Sequence, residues 1–204
     1  MLYRQHVLLG AVLIVASELM FATMGAAVKA VTATLPNEMA VFMRNLFGLL
    51  FVLPLLLRKG PGQLRTTVAH LHVLRAVFGV SAMYCFFYVL EHLALAEAVI
   101  LKMTAPFFMP LVALFWLGEQ PRRLSLLAVP VGFAGVALIM GPEGHVSWTA
   151  LAGVLGGLLA ALAKVTVRRL GRTEPSARVV FYFAALAALV SSVPLMWSWR
   201  WPDM

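Results

Sequence analysis

The chain has 204 residues, of which 62% are hydrophobic and only 12% charged, and its mean hydropathy is +0.93. Soluble domains average about 45–50% apolar and about 25% charged residues, so a water-soluble globular domain is excluded and an all-α polytopic membrane protein is expected. The net charge of +8 does not mark a nucleic-acid binder: the basic residues are dispersed in short loops between apolar runs, as membrane orientation requires.

In chain order, Arg4 and His6 precede an apolar run reaching about Lys29. That run is too long for the core of a signal peptide and has no small-residue cleavage site, so a retained first helix is expected. About seven apolar segments follow one another, at roughly 7–29, 37–57, 70–90, 94–117, 124–140, 149–167 and 177–197. Gly- and Pro-bearing turns separate most of them, including Lys59-Gly60-Pro61-Gly62, Gly118-Glu119-Gln120-Pro121 and Gly141-Pro142-Glu143-Gly144. Arg4, Arg58, Lys59, Arg65, Arg122, Arg123, Arg168, Arg169, Arg172 and Arg178 fall on one side of this arrangement. The alternate loops lack Lys and Arg, and only Arg200 lies on that other side. This alternation predicts a multi-pass protein of the cell inner membrane with its N-terminus in the cytoplasm.

The fourth segment is unusual for a lipid anchor. It carries Glu97 and Lys102, then Pro106 and Pro110, and stops at Gly118-Glu119. Charges at membrane depth are costly and face a bundle interior or a wet cavity. Each proline removes a backbone donor and bends its helix, which a membrane tolerates only where neighbours or water satisfy the freed carbonyl. The segment reads as one wall of a solute pathway, with Pro106 and Pro110 as kinks or gating points. An internal repeat is also visible: Pro36, Phe42 and Pro54 of the second segment parallel Pro175, Phe181 and Pro194 of the seventh. Seven repeating two implies a five-helix unit, so residues 1–141 form one repeat and 147–204 an incomplete second one. An odd-numbered unit must enter the membrane in the opposite sense the second time, as in transporters built from inverted repeats.

Lys29 closing the first helix, Pro36 and Arg44 opening the second, LALAEAVILKMTAPFFMPLVALFWLGE and the pair Gly132 and Gly135 together resemble the EamA family of the drug/metabolite transporter superfamily. The resemblance spans essentially the whole chain. It implies ten helices in two inverted halves, both termini in the cytoplasm, and a central cavity for a small metabolite or drug. This chain stops at Met204, after seven helices. A fragment, or a wall supplied by a homo-oligomeric or complementing chain, is the corresponding expectation.

Several residues could line the pathway. Glu18, Ala22, Gly25 and Lys29 fall on one helical face. A carboxyl at that depth is a candidate proton carrier; a structural ion pair is the competing reading. Arg44 and Lys102 lie about two turns from one surface, deep enough for an anionic substrate group or a charge partner, whereas Lys29 should snorkel. Among the aromatics, Tyr84 and Phe108 are the cavity candidates. Gly25, Gly153 and Gly157 belong to packing faces of small residues. Arg75, His70 and His72 should be interfacial, and Trp197, Trp199 and Trp201 form an interfacial belt. Cys85 is the only cysteine, so no internal disulfide, metal centre or cofactor is expected. A lone Asp203 and the lack of an HExxH motif weigh against an enzyme. The expectation is a secondary transporter that moves a small solute by alternating access, open to proton coupling. The alternative is a non-catalytic membrane subunit or a transporter half that needs a partner chain. Basic groups favour a carboxylate-bearing solute and Glu18 a cation, which leaves the solute class open.

Overall fold

In the computed structural model of the chain, residues 7–57, 64–121, 123–139 and 147–199 are described. They form eight helices: α1 (Val7–Thr32), α2 (Asn37–Leu57), α3 (Ala69–His92), α4 (Leu95–Lys102), α5 (Ala105–Leu117), α6 (Arg123–Ile139), α7 (Trp148–Leu170) and α8 (Ser176–Ser198). Five stretches are long and apolar enough to cross a membrane: Leu8–Thr32, Ala69–His92, Leu95–Leu117, Trp148–Leu170 and Ser176–Ser198. Arg4, Arg58, Lys59, Arg122, Arg200 and Trp201, with the turns at 59–62 and 141–144, lie outside the described residues.

The fourth apolar segment is not one helix. α4 ends at Lys102, and α5 begins at Ala105 with Pro106 in its first turn. Pro106 has no N–H to give the carbonyl of Lys102, and its ring crowds that carbonyl, so the helix cannot run through; a proline is favoured where a helix starts anew. Pro110 stays inside α5. The break therefore falls ahead of the first proline. Glu97 closes the other end of α4 by accepting from the Ala94 N–H at 3.2 Å.

The broken span rests on α7. The largest interfaces are α3 on α7, α2 on α8 and α5 on α7. A Cβ at Gly153 would lie 2.6 Å from Leu101, one at Gly156 would lie 2.9 Å from Cys85, and one at Gly157 would overlap Thr104. Small residues let helices approach closely in lipid; here Gly157 gives Thr104, fully buried, its place at the break. Gly25 is different, since a Cβ there would make an ordinary 3.8 Å contact with Leu95. The core around this seam includes Val41, Phe87, Leu90, Ala98, Leu101 and Ala187. α1 is attached mainly by its second half: Gly25, Val28 and Thr32 are buried, while Leu8 to Met20 are exposed.

Lys29 does not snorkel. Its Nζ donates to the carbonyls of Leu90 and Leu93, both at 2.8 Å, which satisfies acceptors that the end of α3 leaves free and places a cation at the negative end of the helix dipole.

The arginine-rich end is tied together across the bundle. Gly118 ends α5 in the left-handed region at φ 68°, which turns Glu119 toward Arg168 and Arg172, each 2.8 Å away. Thr66 Oγ1 donates to Glu174 Oε1 at 2.7 Å, Arg178 Nη1 to Glu174 Oε2 at 2.6 Å, and the Tyr182 hydroxyl to the carbonyl of Leu64 at 2.7 Å. His72, expected at the interface, is instead buried and stacked on Tyr182, with ring centroids 4.4 Å apart.

Two outcomes follow from this packing. Gly157→Val should destabilise the protein by about 2 kcal/mol through overpacking, while Gly48→Ala, whose Cβ meets nothing within 4 Å, should be neutral; thermal unfolding in detergent checks both. Burial acts to raise the Glu174 carboxyl, but the hydrogen bonds from Thr66 and Arg178 and the Arg178 charge outweigh it and hold the group below the usual carboxylate range. A depressed folded value means stabilisation that is complete above the unfolded carboxylate pKa of about 4.3 and is lost as pH falls through the lower folded value. The gap in unfolding temperature between wild type and Glu174→Gln should therefore stay constant from pH 7 to about 5 and shrink below about 4.

Candidate functional site

A cavity of about 250 Å³ lies between α1, α3, α4 and α7, with one residue each from α2, α5 and α8 at its wall. Its ionisable lining is Glu18, Arg44, Arg75, Lys102 and Lys164.

Lys102 is the last residue of α4, where the helix dipole favours a cation, and the break behind it turns its side chain into the cavity. Its Nζ lies 3.6 Å from the centre of the Phe21 ring and 3.8 Å from Glu18 Oε2. The Lys102 side chain is 22% exposed and that of Glu18 is 63% exposed, so the carboxylate stands at the mouth and the ammonium inside. Glu18 thus faces the cavity while Ala22, on the same expected face of α1, is exposed.

Arg75 lies across α3. Its guanidinium carbon is 4.0 Å above the Phe183 ring, a cation–π contact. Gly79, one turn on, leaves the space that this contact occupies: a Cβ there would overlap Arg75 Nη1 and come within 2.8 Å of Phe183. Among the described residues, Arg75 Nε has no hydrogen-bond partner, and it is buried. Arg44 Nη1 donates to Asn45 Oδ1 at 3.0 Å and approaches Met83 Sδ at 3.8 Å, both neutral acceptors. Asn45 in turn donates to Ser191 Oγ at 3.3 Å, which fastens α2 to α8 beside the arginine.

The structure therefore gathers Glu18, Arg44 and Lys102 in one cavity. It adds Arg75, expected to be interfacial, and Lys164, for which no role was expected. The spacing that singles out Glu18 on α1 also singles out Lys164 on α7. Gly153, Gly157, Ala160 and Lys164 recur at the same intervals as Glu18, Ala22, Gly25 and Lys29, and all four line the cavity. Tyr84 and Phe108 are placed elsewhere. The Tyr84 hydroxyl points to the Ser191 carbonyl at 3.5 Å, and its own carbonyl accepts from Asn37 at 3.2 Å. Phe108 lines a separate apolar crevice with Leu111, Val112, Phe115 and Trp116 and meets Phe133 edge-on, with centroids 5.0 Å apart. Ala105 lines the cavity, while Pro106 beside it is exposed.

Comparison with known proteins agrees with this architecture. The EamA-like transporter family model matches residues 8–141. The chain is 37% identical over 191 residues to the pseudopaline exporter of Pseudomonas aeruginosa, covering 93% of this chain and 66% of that protein. It is 31% identical over 160 residues to a riboflavin transporter of Brucella anthropi, covering 78% of this chain and 56% of that protein. A third relative, the S-adenosylmethionine uptake transporter of Rickettsia bellii, is 24% identical over 164 residues, covering 80% of this chain and 56% of that protein. The chain thus spans 66% or less of the length of these relatives. No solved structure matches. The broken fourth span, its Gly118-Glu119 ending and a family match over most of the chain converge: the chain belongs to the EamA-like transporter family.

Proposed function

We propose that this chain moves a small organic solute across the inner membrane by alternating access, with its N-terminus and arginine-rich end in the cytoplasm. The observation that carries the proposal is the cavity itself: ionisable groups from α1, α2, α3, α4 and α7 converge on one space within a bundle of membrane-length helices. Ionisable groups at membrane depth mark solute or ion routes.

Two repeats, residues 1–141 and 147–204, related by inversion support the alternating mechanism. α2 and α8 each begin one residue after a proline whose carbonyl accepts the first helical N–H groups. They pack on each other. Arg44 and Phe183 stand at the same offset from those prolines and both line the cavity. A site at the interface of inverted repeats is where such transporters hold their cargo. Opening toward the arginine-rich end would require parting the Thr66–Glu174 and Glu119–Arg168/Arg172 ties, with the break at Met103-Thr104 as the hinge beside Pro106 and Pro110. Glu18, paired with Lys102 at the mouth, is the group through which a proton would compete for the lysine and couple to transport.

The relatives carry the names of transporters of pseudopaline, riboflavin and S-adenosylmethionine, which supplies the probes. In liposomes containing the purified chain, at least one of these three solutes should cross faster than in protein-free liposomes. Lys102→Gln should lower that flux about tenfold or more, the cost of losing a hydrogen bond to a charged group. Glu18→Gln should remove the response to an imposed pH gradient while leaving flux down a solute gradient. No flux of any of the three, with protein that is folded by size exclusion, would favour a non-catalytic membrane subunit.

A further inference from the structure

We propose that the cavity selects an organic solute carrying two or more oxyanion groups, carboxylate or phosphate, and rejects cations. This rests on the transport reading of the same cavity and names the class of solute that it takes.

Four basic side chains, Arg44, Arg75, Lys102 and Lys164, face one carboxylate, Glu18. The surplus is not spread evenly. It comes from two arginines, Arg44 on α2 and Arg75 on α3, and two lysines, Lys102 on α4 and Lys164 on α7, which line the one cavity. Glu18 is 3.8 Å from Lys102 and stands at the mouth. Among the described residues the arginines have no such partner: Arg44 bonds to neutral acceptors, and Arg75 leans on an aromatic ring with its Nε unmatched. Burying like charges together is expensive unless an opposite charge arrives to share them. The cavity lining is thus short of negative charge, which a bound solute can supply.

The two pairs differ in chemistry. Two guanidinium groups offer planar forks that match the two oxygens of a carboxylate or phosphate. Two ammonium groups act as point charges and accept an oxyanion in any orientation. One group per pair accounts for at least two oxyanions on the solute. The rest of the wall is apolar, including Phe21, Met24, Met83, Phe86, Phe87 and Phe183, so the charges must be joined by an organic body; a bare inorganic ion would leave this surface unused. A cationic solute would meet four like charges against one carboxylate in this lining, and such juxtaposition is how sites exclude a wrong ligand.

The test is calorimetric titration of the purified full chain in neutral detergent. Citrate serves as the polycarboxylate, fructose 1,6-bisphosphate as the polyphosphate, and spermidine as the cation. Citrate or the bisphosphate should bind and spermidine should not; which of the two binds identifies the oxyanion. Arg44→Gln and Arg75→Gln should each weaken that binding about tenfold or more. Arg169→Gln, at an exposed position outside the cavity lining, should leave it unchanged. Lys164→Gln, on an exposed part of α7, provides a second cavity variant should either arginine variant fail to elute as wild type. Binding of neither oxyanion, equal binding of spermidine, or unchanged affinity in the folded cavity variants would overturn the proposal. Flux in liposomes separates the two levels. Binding that depends on Arg44 and Arg75 without any flux keeps the solute class and removes the transport reading. Flux with no oxyanion binding removes the solute class alone.

Discussion

The seam between α7 and the broken fourth span is the constraint on which the rest depends. Gly157 leaves room for Thr104 where the helix is interrupted, and Gly153 and Gly156 let α7 approach Leu101 and Cys85 closely. With larger residues the span would be pushed outward and Lys102 would move with it. Instead α4 ends on Lys102 and presents it to Phe21, Glu18 and the cavity. A membrane offers no water to a freed carbonyl or a lone ammonium, so an interruption at this depth survives only against a close-packed neighbour on one side and a polar space on the other.

That polar space is charged out of balance, and the imbalance is held by shape. Aromatic rings under Arg75 and Lys102 supply negative faces without carrying net charge. They keep the cations in place while leaving them open to a stronger partner. Gly79 serves the same end by yielding the volume that the Arg75 guanidinium and Phe183 share. Carboxylates in those positions would neutralise the site. Rings hold the charges and leave them available.

The arginine-rich end obeys a different logic. Glu119 joins the end of α5 to Arg168 and Arg172, and Glu174 joins Thr66 to Arg178. The Gly118-Glu119 ending of the fourth span thus has a structural reason: a left-handed glycine stops the helix and aims the next side chain at α7. Ion pairs as exposed as Glu119 with Arg168 and Arg172 contribute little to stability.

The sequence by itself determined the membrane class, the apolar segments though not the break within the fourth, the alternation of loop charge and three of the cavity's ionisable groups, Glu18, Arg44 and Lys102. Those features follow from local rules: hydropathy sets the segments, and a charge inside an apolar run stands out wherever it occurs. The tertiary structure alone decided the remainder. It drew Arg75 and His72 inward from a position near a helix end, brought in Lys164 from α7, set Lys29 on the end of α3, and left Tyr84 and Phe108 outside the cavity. Depth along a helix can be counted from residue numbers, but the direction a side chain faces depends on helix rotation, and rotation is fixed by which neighbour packs where. The packing of α1, α2, α7 and α8 on α3, and of α7 on α4 and α5, supplies that information.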